Sequence, residues 1–457
     1  MADQDPFRTF KSWYRWSRSL LPRIDSAGVK LERAIAGKIP SAAKKGADRV
    51  TGLLERQPLV CFALFFVLVC TRATHWLANP QFYIEDGKEF YAPAFNEGVH
   101  TLWRAYASYY HLVPRILSLI AAAFPVRYGP LVLELLALAI QAVSASFLVT
   151  ARLAKQFPSV GVRFGLAFMV IGYPYSNELF GNVAHSQWYL GILSLAIICS
   201  EPGKRVVSRV ADSVTVGLNC LTGPFAPIVA GISWSGWRGD KQRRVLAVIA
   251  TVCAVVTLMA LMGEPRTGIH RGSRFSLFER IISNQIVLGP IRGYHYVHQI
   301  PYTPFFDLRE FITALFGVVV IVWAVRKAPP LIKALAVLGT YSFLSSLITK
   351  GSWALIGDPG VGERYFLHIG LVMLFSVYFL SATARFSAVR WFFRAVLAIC
   401  ALATVQNWVY DPPFERFNYA PQIAKYDRLK PGEKVEIVFP IDRKLSTNSW
   451  TMDLIKK

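Results

Sequence analysis

Carboxylates are scarce in this 457-residue chain, which carries 28 Asp and Glu against 50 Lys and Arg and has a formal net charge of +22. Charged residues of either sign make up only 17%, whereas 54% of the residues are hydrophobic. The charges form short clusters between apolar runs close to the roughly 20 residues that cross a bilayer. Because they do not spread along amphipathic faces, a soluble helical protein is disfavoured. The composition predicts an all-α polytopic membrane protein.

Cysteine is equally scarce, and the positions of the cysteines do not indicate disulfide bonds. The six cysteines lie inside or at the edge of apolar segments, and no CxxC pair occurs. Neither a disulfide framework nor a zinc site is indicated, so we expect no cofactor and no required metal. The basic excess follows the loops, as expected for charges that set membrane orientation and contact anionic lipid. Nucleic acid is therefore not an expected partner.

The amino-terminal 57 residues lack the apolar core and cleavage site of a signal peptide, so we expect them to be retained. They hold 12 Lys and Arg against 6 Asp and Glu. Aromatic and leucine residues from Phe7 to Leu21 fall close to helical spacing among basic residues, which predicts an interfacial helix. For residues 24–50, a disordered basic tail is an open alternative.

The apolar segments predict about 11 transmembrane spans. They cover residues 59–77, 129–150, 163–175, 187–200, 209–221, 224–236, 245–263, 305–325, 332–349, 365–382 and 391–408. Gly223 and Pro224 should break the fifth and sixth segments into a hairpin at membrane depth, which is tolerated only against protein or a polar cavity. The segment His111–Pro125 is too short to span and predicts a partly inserted surface helix.

The charge distribution predicts a cytosolic amino terminus, because the loops that would share its side carry three or four Lys and Arg each. The loop 264–304 should face outward, yet it holds five arginines: Arg266, Arg271, Arg274, Arg280 and Arg292. Guanidinium groups match phosphate geometry, so phosphate recognition explains this loop better than a solvated surface. The tail 409–457 is also expected outside, with a strand at "KVEIVFPID".

Adjacent carboxylates follow the first span in "YIEDGKEF", as Glu85 and Asp86. One interpretation is an ion-pair cluster with nearby basic residues. The other is general-base catalysis, in which one carboxylate takes a proton from an attacking hydroxyl and its neighbour raises the pKa of that base. Further polar residues converge on the same predicted face in "HLVPR", "NVAHSQWYL" and "GERYF". In "GERYF", Arg364 at the entrance of a span needs a partner or a route to the interface.

These ordered motifs resemble those of multispanning bacterial GT-C glycosyltransferases. The resemblance implies a bacterial inner-membrane enzyme that transfers a sugar from a polyprenyl-phosphate carrier to an acceptor hydroxyl of a surface glycan or lipid. It implies a transmembrane domain at 58–408, with catalytic acids in a first outer loop at 78–127 and a short extracytoplasmic tail at 409–457. GT-C enzymes often carry a large soluble carboxy-terminal domain, whereas we expect only a short tail here, so the resemblance implies nothing about acceptor recognition.

The resemblance also assigns roles to residues. Asp86 is expected to be the base, with Glu85 assisting. The sugar pocket would be lined by His111, Arg115, Asn182, His185, Gln187 and Trp188, the last as a stacking platform. The lipid phosphate would be held by Arg364, Tyr365, Arg266, Arg271 and Arg292. Two alternatives stay open: a transporter or flippase of lipid-linked glycans, and a polysaccharide polymerase or ligase that uses a lipid-pyrophosphate donor.

Overall fold

A computed structural model describes residues 29, 41–83, 85–262, 272–301, 305–349, 353–358, 360–409, 419–440 and 449–457. The predicted interfacial helix between Phe7 and Leu21 lies outside these residues, as do Arg266 and Arg271 of the basic loop. The described chain is mostly helical, with one small sheet near its carboxyl end.

The first half of the chain forms helices α1 to α11. They are α1 (Ser41–Arg56), α2 (Pro58–Arg72), α3 (Thr74–Ala78), α4 (Ala92–Glu97), α5 (Leu112–Ala122), α6 (Gly129–Val149), α7 (Val160–Ile171), α8 (Ser186–Cys199), α9 (Val206–Cys220), α10 (Ala226–Ser235) and α11 (Lys241–Met262). A π-helix, Asp86–Tyr91, lies between α3 and α4. Short 3-10 turns form at Gly98–Trp103, Val126–Tyr128 and Ala151–Leu153.

The second half continues with helices α12 to α20 and two strands. They are α12 (Phe275–Ile281), α13 (Gly289–Arg292), α14 (Tyr294–Val297), α15 (Leu308–Lys327), α16 (Pro330–Thr349), α17 (Trp353–Gly357), α18 (Leu367–Thr383), α19 (Ser387–Val409), α20 (Ala420–Arg428), β1 (Lys434–Pro440) and β2 (Ser449–Ile455). A second π-helix, Ile282–Leu288, follows α12, and a 3-10 turn, Glu363–Phe366, leads into α18.

Six of the described helices are long and apolar enough to cross a membrane. They cover Val126–Val149, Lys241–Met262, Leu308–Lys327, Pro330–Ile348, Glu363–Thr383 and Ser387–Val409. A seventh is added if the bent pair Arg49–Arg56 and Pro58–Arg72 counts as one span. The prediction of a helical, membrane-embedded protein is confirmed. The other five predicted spans form helices of 10 to 15 residues, so the count of about 11 stays a prediction.

Helices α8 and α18 form the centre of the bundle, because both are apolar on every side and almost entirely buried. The ring of His368 in α18 joins them through a 2.8 Å hydrogen bond between its Nε2 and the Trp188 carbonyl. Outer helices such as α11 and α19 bury less than half of their apolar windows, as expected for helices in contact with lipid. The hairpin α9 and α10 breaks at Leu221–Phe225, as Gly223 and Pro224 predict.

The carboxy-terminal tail adds the only sheet among the described residues, an antiparallel pair in which Lys434 faces Ile455. The predicted strand is confirmed at Lys434–Pro440. Its partner strand, Ser449–Ile455, was not predicted from the sequence. The sheet packs on the first loop: Asn96 donates from Nδ2 to the Asp453 carbonyl at 2.7 Å and accepts from the Ile455 N–H at 3.0 Å. The tail and the first loop therefore share one end of the bundle.

Arg280, one of the five arginines of the basic loop, is part of the core. Its side chain is 1% exposed and pairs with Glu310 at 3.1 Å. Asn284 of the π-helix Ile282–Leu288 donates to the same Glu310 oxygen at 3.2 Å. A buried guanidinium needs such a partner because desolvation otherwise penalises its charge. The pairing gives Arg280 a structural role that loop composition could not reveal.

Candidate functional site

A cavity of about 150 Å³ opens where the first loop, the turn before α8 and the turn before α18 meet. Its wall combines one carboxylate, one guanidinium and two imidazoles with aromatic rings. The lining residues are Glu85, Phe90, Tyr106, Ala107, Tyr109, His111, Ala184, His185, Gln187, Arg364 and Tyr365. We call this end of the bundle the Glu85 face.

Asp86, the predicted base, is buried with 5% exposure and does not line this cavity. Its two carboxyl oxygens accept hydrogen bonds from the backbone N–H groups of Val183 at 3.0 Å and Ala184 at 2.9 Å. Burial raises the pKa of Asp86 to about 8, although the two N–H donors favour the charged form and act in the opposite direction. Asp86 therefore holds the turn before α8 against the first loop.

Glu85 is the acidic residue of the pair that lines the cavity. It precedes the π-helix Asp86–Tyr91, so the two neighbouring carboxylates leave the backbone in different directions. The Oε2 atom of Glu85 is buried and accepts no hydrogen bond from the described part of the chain. A buried carboxylate oxygen without a donor is costly, and a hydroxyl that enters the cavity would supply one.

The turn "NVAHSQ" fixes the imidazole of His185 before α8 begins. The Asn182 Oδ1 accepts the His185 N–H at 3.3 Å, which gives Asn182 the turn-forming role open to it in the sequence. The His185 Nδ1 lies 2.9 Å from the Glu178 carbonyl. Because a carbonyl only accepts, the hydrogen of this contact is on Nδ1, which fixes the orientation of the ring.

Arg364 reaches the cavity from the turn that precedes α18 and forms an ion pair with Glu178. The Glu178 N–H in turn donates to Glu363 at 3.1 Å, so the two turns are locked together. The Arg364 guanidinium also lies 4.9 Å from the ring centroid of Tyr365 and interacts electrostatically with Glu85. A guanidinium has five N–H donors, so pairing with Glu178 leaves capacity for a ligand.

A tight turn at Tyr106–Tyr109 forms a further wall of the cavity, and no sequence pattern predicts it. The two tyrosines exchange backbone hydrogen bonds of 2.9 and 3.2 Å around Ala107 and Ser108, whose φ angles are 51° and 72°. Such a turn favours Asn and Gly, so Ala and Ser there carry backbone strain, a feature that clusters at functional sites. The only sequence signal is the density of aromatic residues in "YASYYH".

The ring of His111 is packed among aromatic rings, with its centroid 4.4 Å from that of Tyr109. His111 itself has a left-handed backbone, with φ at 51°. Burial and the positive charge of Arg115 lower the pKa of His111 to about 3, so the ring is neutral at physiological pH. Burial also raises the pKa of the Tyr106 and Tyr109 hydroxyls, which keeps them protonated.

Gln187 and Trp188 occupy different environments although they are adjacent. Gln187 lines the cavity, and its side chain packs on Gly223 of the broken hairpin, where an added Cβ would lie 2.5 Å from its Oε1. Trp188 is 2% exposed and contacts Phe225 and His368, with ring centroids 4.9 and 5.5 Å away. The indole therefore packs in the bundle core and does not line the cavity, although its ring centroid lies 5.5 Å from that of Tyr365 in the cavity wall.

Six of the predicted site residues meet at the cavity: Glu85, His111, His185, Gln187, Arg364 and Tyr365. Arg115 lies behind it, where its Nε donates to the Tyr110 carbonyl at 3.2 Å. Arg292 lines a separate cavity of about 350 Å³ with its guanidinium 4.0 Å from the Tyr296 ring. Arg266 and Arg271 lie outside the described residues.

The tail sheet covers the back of the site. Phe439 of β1 rests on Gly87, where an added Cβ would lie 2.9 Å from the phenyl Cζ and 3.0 Å from the Cβ of Phe82. Gly87 follows Asp86, so the close approach places β1 one residue from the acidic pair. The tail thus supports the backbone that carries Glu85 and Asp86.

Comparison with known proteins assigns no family. No known protein family matches the chain, and no curated protein or solved structure matches it either. Among the described residues, no group of three His, Cys, Asp or Glu could hold a metal ion. The function must therefore be argued from the geometry of the Glu85 face and from the sequence motifs.

Proposed function

We propose that the protein is a membrane glycosyltransferase of the GT-C type that moves a sugar from a polyprenyl-phosphate carrier to an acceptor hydroxyl. The observation that carries this proposal is the buried, undonated Oε2 of Glu85 in a cavity that also holds Arg364. A base for the incoming hydroxyl and a cation for the departing phosphate are the two groups that such a transfer needs.

In the proposed reaction, Glu85 takes the proton of the acceptor hydroxyl as its oxygen attacks the anomeric carbon. The bond between that carbon and the phosphate oxygen breaks, and the polyprenyl phosphate leaves with the bonding electrons. The developing negative charge falls beside Arg364, whose guanidinium Glu178 holds in place. Attack opposite the leaving group inverts the configuration at the anomeric carbon.

The remaining cavity residues suit a sugar. His185, Gln187 and the neutral His111 offer hydrogen-bond donors and acceptors to hydroxyl groups. Tyr106, Tyr109 and Tyr365 add aromatic surface with polar edges. Asp86, which the sequence analysis favoured as the base, becomes the positioning residue that anchors the turn at Val183 and Ala184. The proposed location is the bacterial inner membrane, which the resemblance implies, with the Glu85 face on its outer side, as the loop charges predict.

The test replaces Glu85 with Gln in the purified full chain and follows radiolabel from a panel of polyprenyl-phosphate-linked hexoses and pentoses to an acceptor extract. A base contributes about 100-fold or more, so Glu85→Gln should lose at least that factor. Glu89→Gln is the matched control, because Glu89 belongs to the same loop and does not line the cavity. The assignment of Glu85 as the base is wrong if Glu85→Gln keeps full activity, or if Asp86→Asn loses all activity while Glu85→Gln does not.

The same preparation separates the proposal from transport of lipid-linked glycans. Reconstituted vesicles that move the labelled lipid between leaflets, with no label reaching an acceptor, would support a flippase instead. A donor panel with polyprenyl-pyrophosphate glycans tests the polymerase or ligase alternative, which differs in the leaving group.

A further inference from the structure

A cavity of about 620 Å³ lies at the opposite end of the bundle from Glu85. Helix α8 connects the two ends: His185 of the Glu85 face precedes it, and Cys199 at its end lines the large cavity. Fourteen helical residues separate the ends by about 21 Å. We call this end the Lys327 face.

The large cavity carries more positive than negative charge. Four cationic side chains line it: Arg152, Lys155, Arg243 and Lys327. Two of them are matched by carboxylates, since Arg152 binds Asp212 through two 2.8 Å hydrogen bonds and Lys155 lies 3.4 Å from Glu201. Arg243 and Lys327 make no ion pair within the described chain.

Contacts within the protein account for only part of this positive charge. Arg243 donates to the Ser200 carbonyl at the end of α8, but at 3.5 Å, which is a weak cap. Lys327 is exposed in the last turn of α15, where a cation is favourable beside the helix dipole. Neither contact neutralises the positive charge, so the cavity suits an anion.

A second, apolar groove of about 290 Å³ shares Lys327 with the basic cavity. Its walls include Trp323 of α15, Phe379 of α18, Val389 of α19 and Phe386 of the turn between α18 and α19. Trp323 is 42% exposed and Phe386 is 49% exposed, as expected for rings at a membrane boundary. A charged cavity joined through one lysine to an apolar groove matches a molecule with an anionic head and a hydrocarbon chain.

We propose that the Lys327 face binds an anionic phospholipid, with its phosphate in the basic cavity and an acyl chain along the groove. Basic pockets between transmembrane helices bind such headgroups by charge and hydrogen bonding. The site is remote from Glu85 and independent of the proposed transfer reaction.

The test measures lipid binding to the purified full chain in detergent by native mass spectrometry, with dioleoyl-phosphatidylglycerol as the probe and dioleoyl-phosphatidylcholine for comparison. Lys327→Glu should weaken phosphatidylglycerol binding by about tenfold, because it reverses the shared charge. Lys327→Arg should retain binding, which shows that the position tolerates substitution. Lys333→Glu is the matched control, an exposed lysine of α16 outside the cavity.

Two further arms separate the lipid from a soluble phosphate ester. Val389→Trp fills the groove and should weaken phosphatidylglycerol binding while leaving the basic cavity intact. Glycerol 3-phosphate, which lacks acyl chains, should not displace the lipid at equal concentration. The proposal is overturned if Lys327→Glu and Lys333→Glu bind the lipid equally, or if glycerol 3-phosphate competes as well as phosphatidylglycerol.

Discussion

Asp86 and Asp212 are both buried aspartates, one at each end of the bundle, and their carboxyl oxygens accept from different kinds of donor. Asp212 is bound by the Arg152 guanidinium through two 2.8 Å hydrogen bonds, so its charge is compensated. Within the described part of the chain, Asp86 accepts from the uncharged N–H groups of Val183 and Ala184. Burial raises the pKa of Asp86 to about 8, which places its titration within the physiological range.

This difference extends to the surroundings of each aspartate. The Glu85 face encloses a small cavity whose carboxylate oxygen, Glu85 Oε2, has no donor within the described chain. The Lys327 face has a larger cavity in which cations outnumber the carboxylates. A carboxylate oxygen without a hydrogen-bond donor is available for proton transfer, whereas surplus cations suit the binding of an anion. The two ends of the bundle therefore suit different functions, which are proton transfer at the Glu85 face and anion binding at the Lys327 face.

The largest expected effect concerns Arg364, the one cation of the Glu85 cavity. If the guanidinium stabilises a departing phosphate, Arg364→Ala should slow sugar transfer by about 100-fold to 1,000-fold. Arg364→Lys keeps the charge but loses the planar fork, so it should recover only part of the rate. The measurement is the transfer assay on protein that elutes as a single folded species.

Arg309→Ala is the control for that comparison. Arg309 is an exposed arginine at the start of α15, at the same end of the bundle, and it pairs with Asp307 at 2.8 Å. Its removal should leave the transfer rate unchanged because it does not line the cavity. Wild-type rates in Arg364→Ala would show that the Glu85 face does not stabilise a leaving group.

The next effect concerns Asp212, where the compensated charge should matter for stability alone. Asp212→Asn leaves the Arg152 guanidinium, which is 22% exposed, without its carboxylate. Breaking a fully buried pair costs about 3 to 5 kcal/mol, so this partly exposed pair should cost less, about 2 kcal/mol. Thermal unfolding in detergent should detect the loss. Glu201→Gln removes a carboxylate from the more exposed pair with Lys155 and should change stability by less than about 1 kcal/mol. Equal effects of the two variants would mean that the Arg152 pair contributes no more to stability than the exposed Lys155 pair.

Much of this architecture follows from local sequence. Apolar runs predict the helices because an α-helix satisfies its own backbone in lipid, and Gly223 with Pro224 predicts the hairpin break. The alternation in "KVEIVFPID" predicts the strand Lys434–Pro440. Polar motifs at helix entrances predict six of the cavity residues, since a side chain that is costly in lipid must lie at a boundary or face a partner.

The remainder depends on contacts between distant segments. Which of Glu85 and Asp86 lines the cavity depends on the π-helix Asp86–Tyr91 and on backbone amides nearly 100 residues away. No local sequence pattern reveals these contacts. The packing of Phe439 on Gly87 joins the tail to the first loop in the same way. Trp188 is an aromatic residue near a helix start, which is why the sequence suggests a stacking platform. Because α8 lies deep in the bundle, the indole packs in the core.

The last expected effect is the part of the pH dependence of stability that Asp86 contributes. A carboxyl whose pKa is raised to about 8 in the folded state, from 3.8 as its ordinary value, binds a proton more tightly when folded. Its contribution to stability is therefore complete below about pH 4 and is lost as the pH rises toward 8. Asp86→Asn cannot titrate, so its destabilisation relative to wild type should be greatest at pH 5 and should shrink by pH 8.

Thermal unfolding of wild type, Asp86→Asn and Asp212→Asn at pH 5 and pH 8 measures this directly. Asp212→Asn serves as the reference, because its carboxylate pairs with the Arg152 guanidinium at 2.8 Å instead of with backbone amides. A deficit for Asp86→Asn that grows with pH would mean that the Val183 and Ala184 amides outweigh burial and keep Asp86 charged. In that event both aspartates would be compensated, and Glu85 alone would distinguish the chemistry of the two faces.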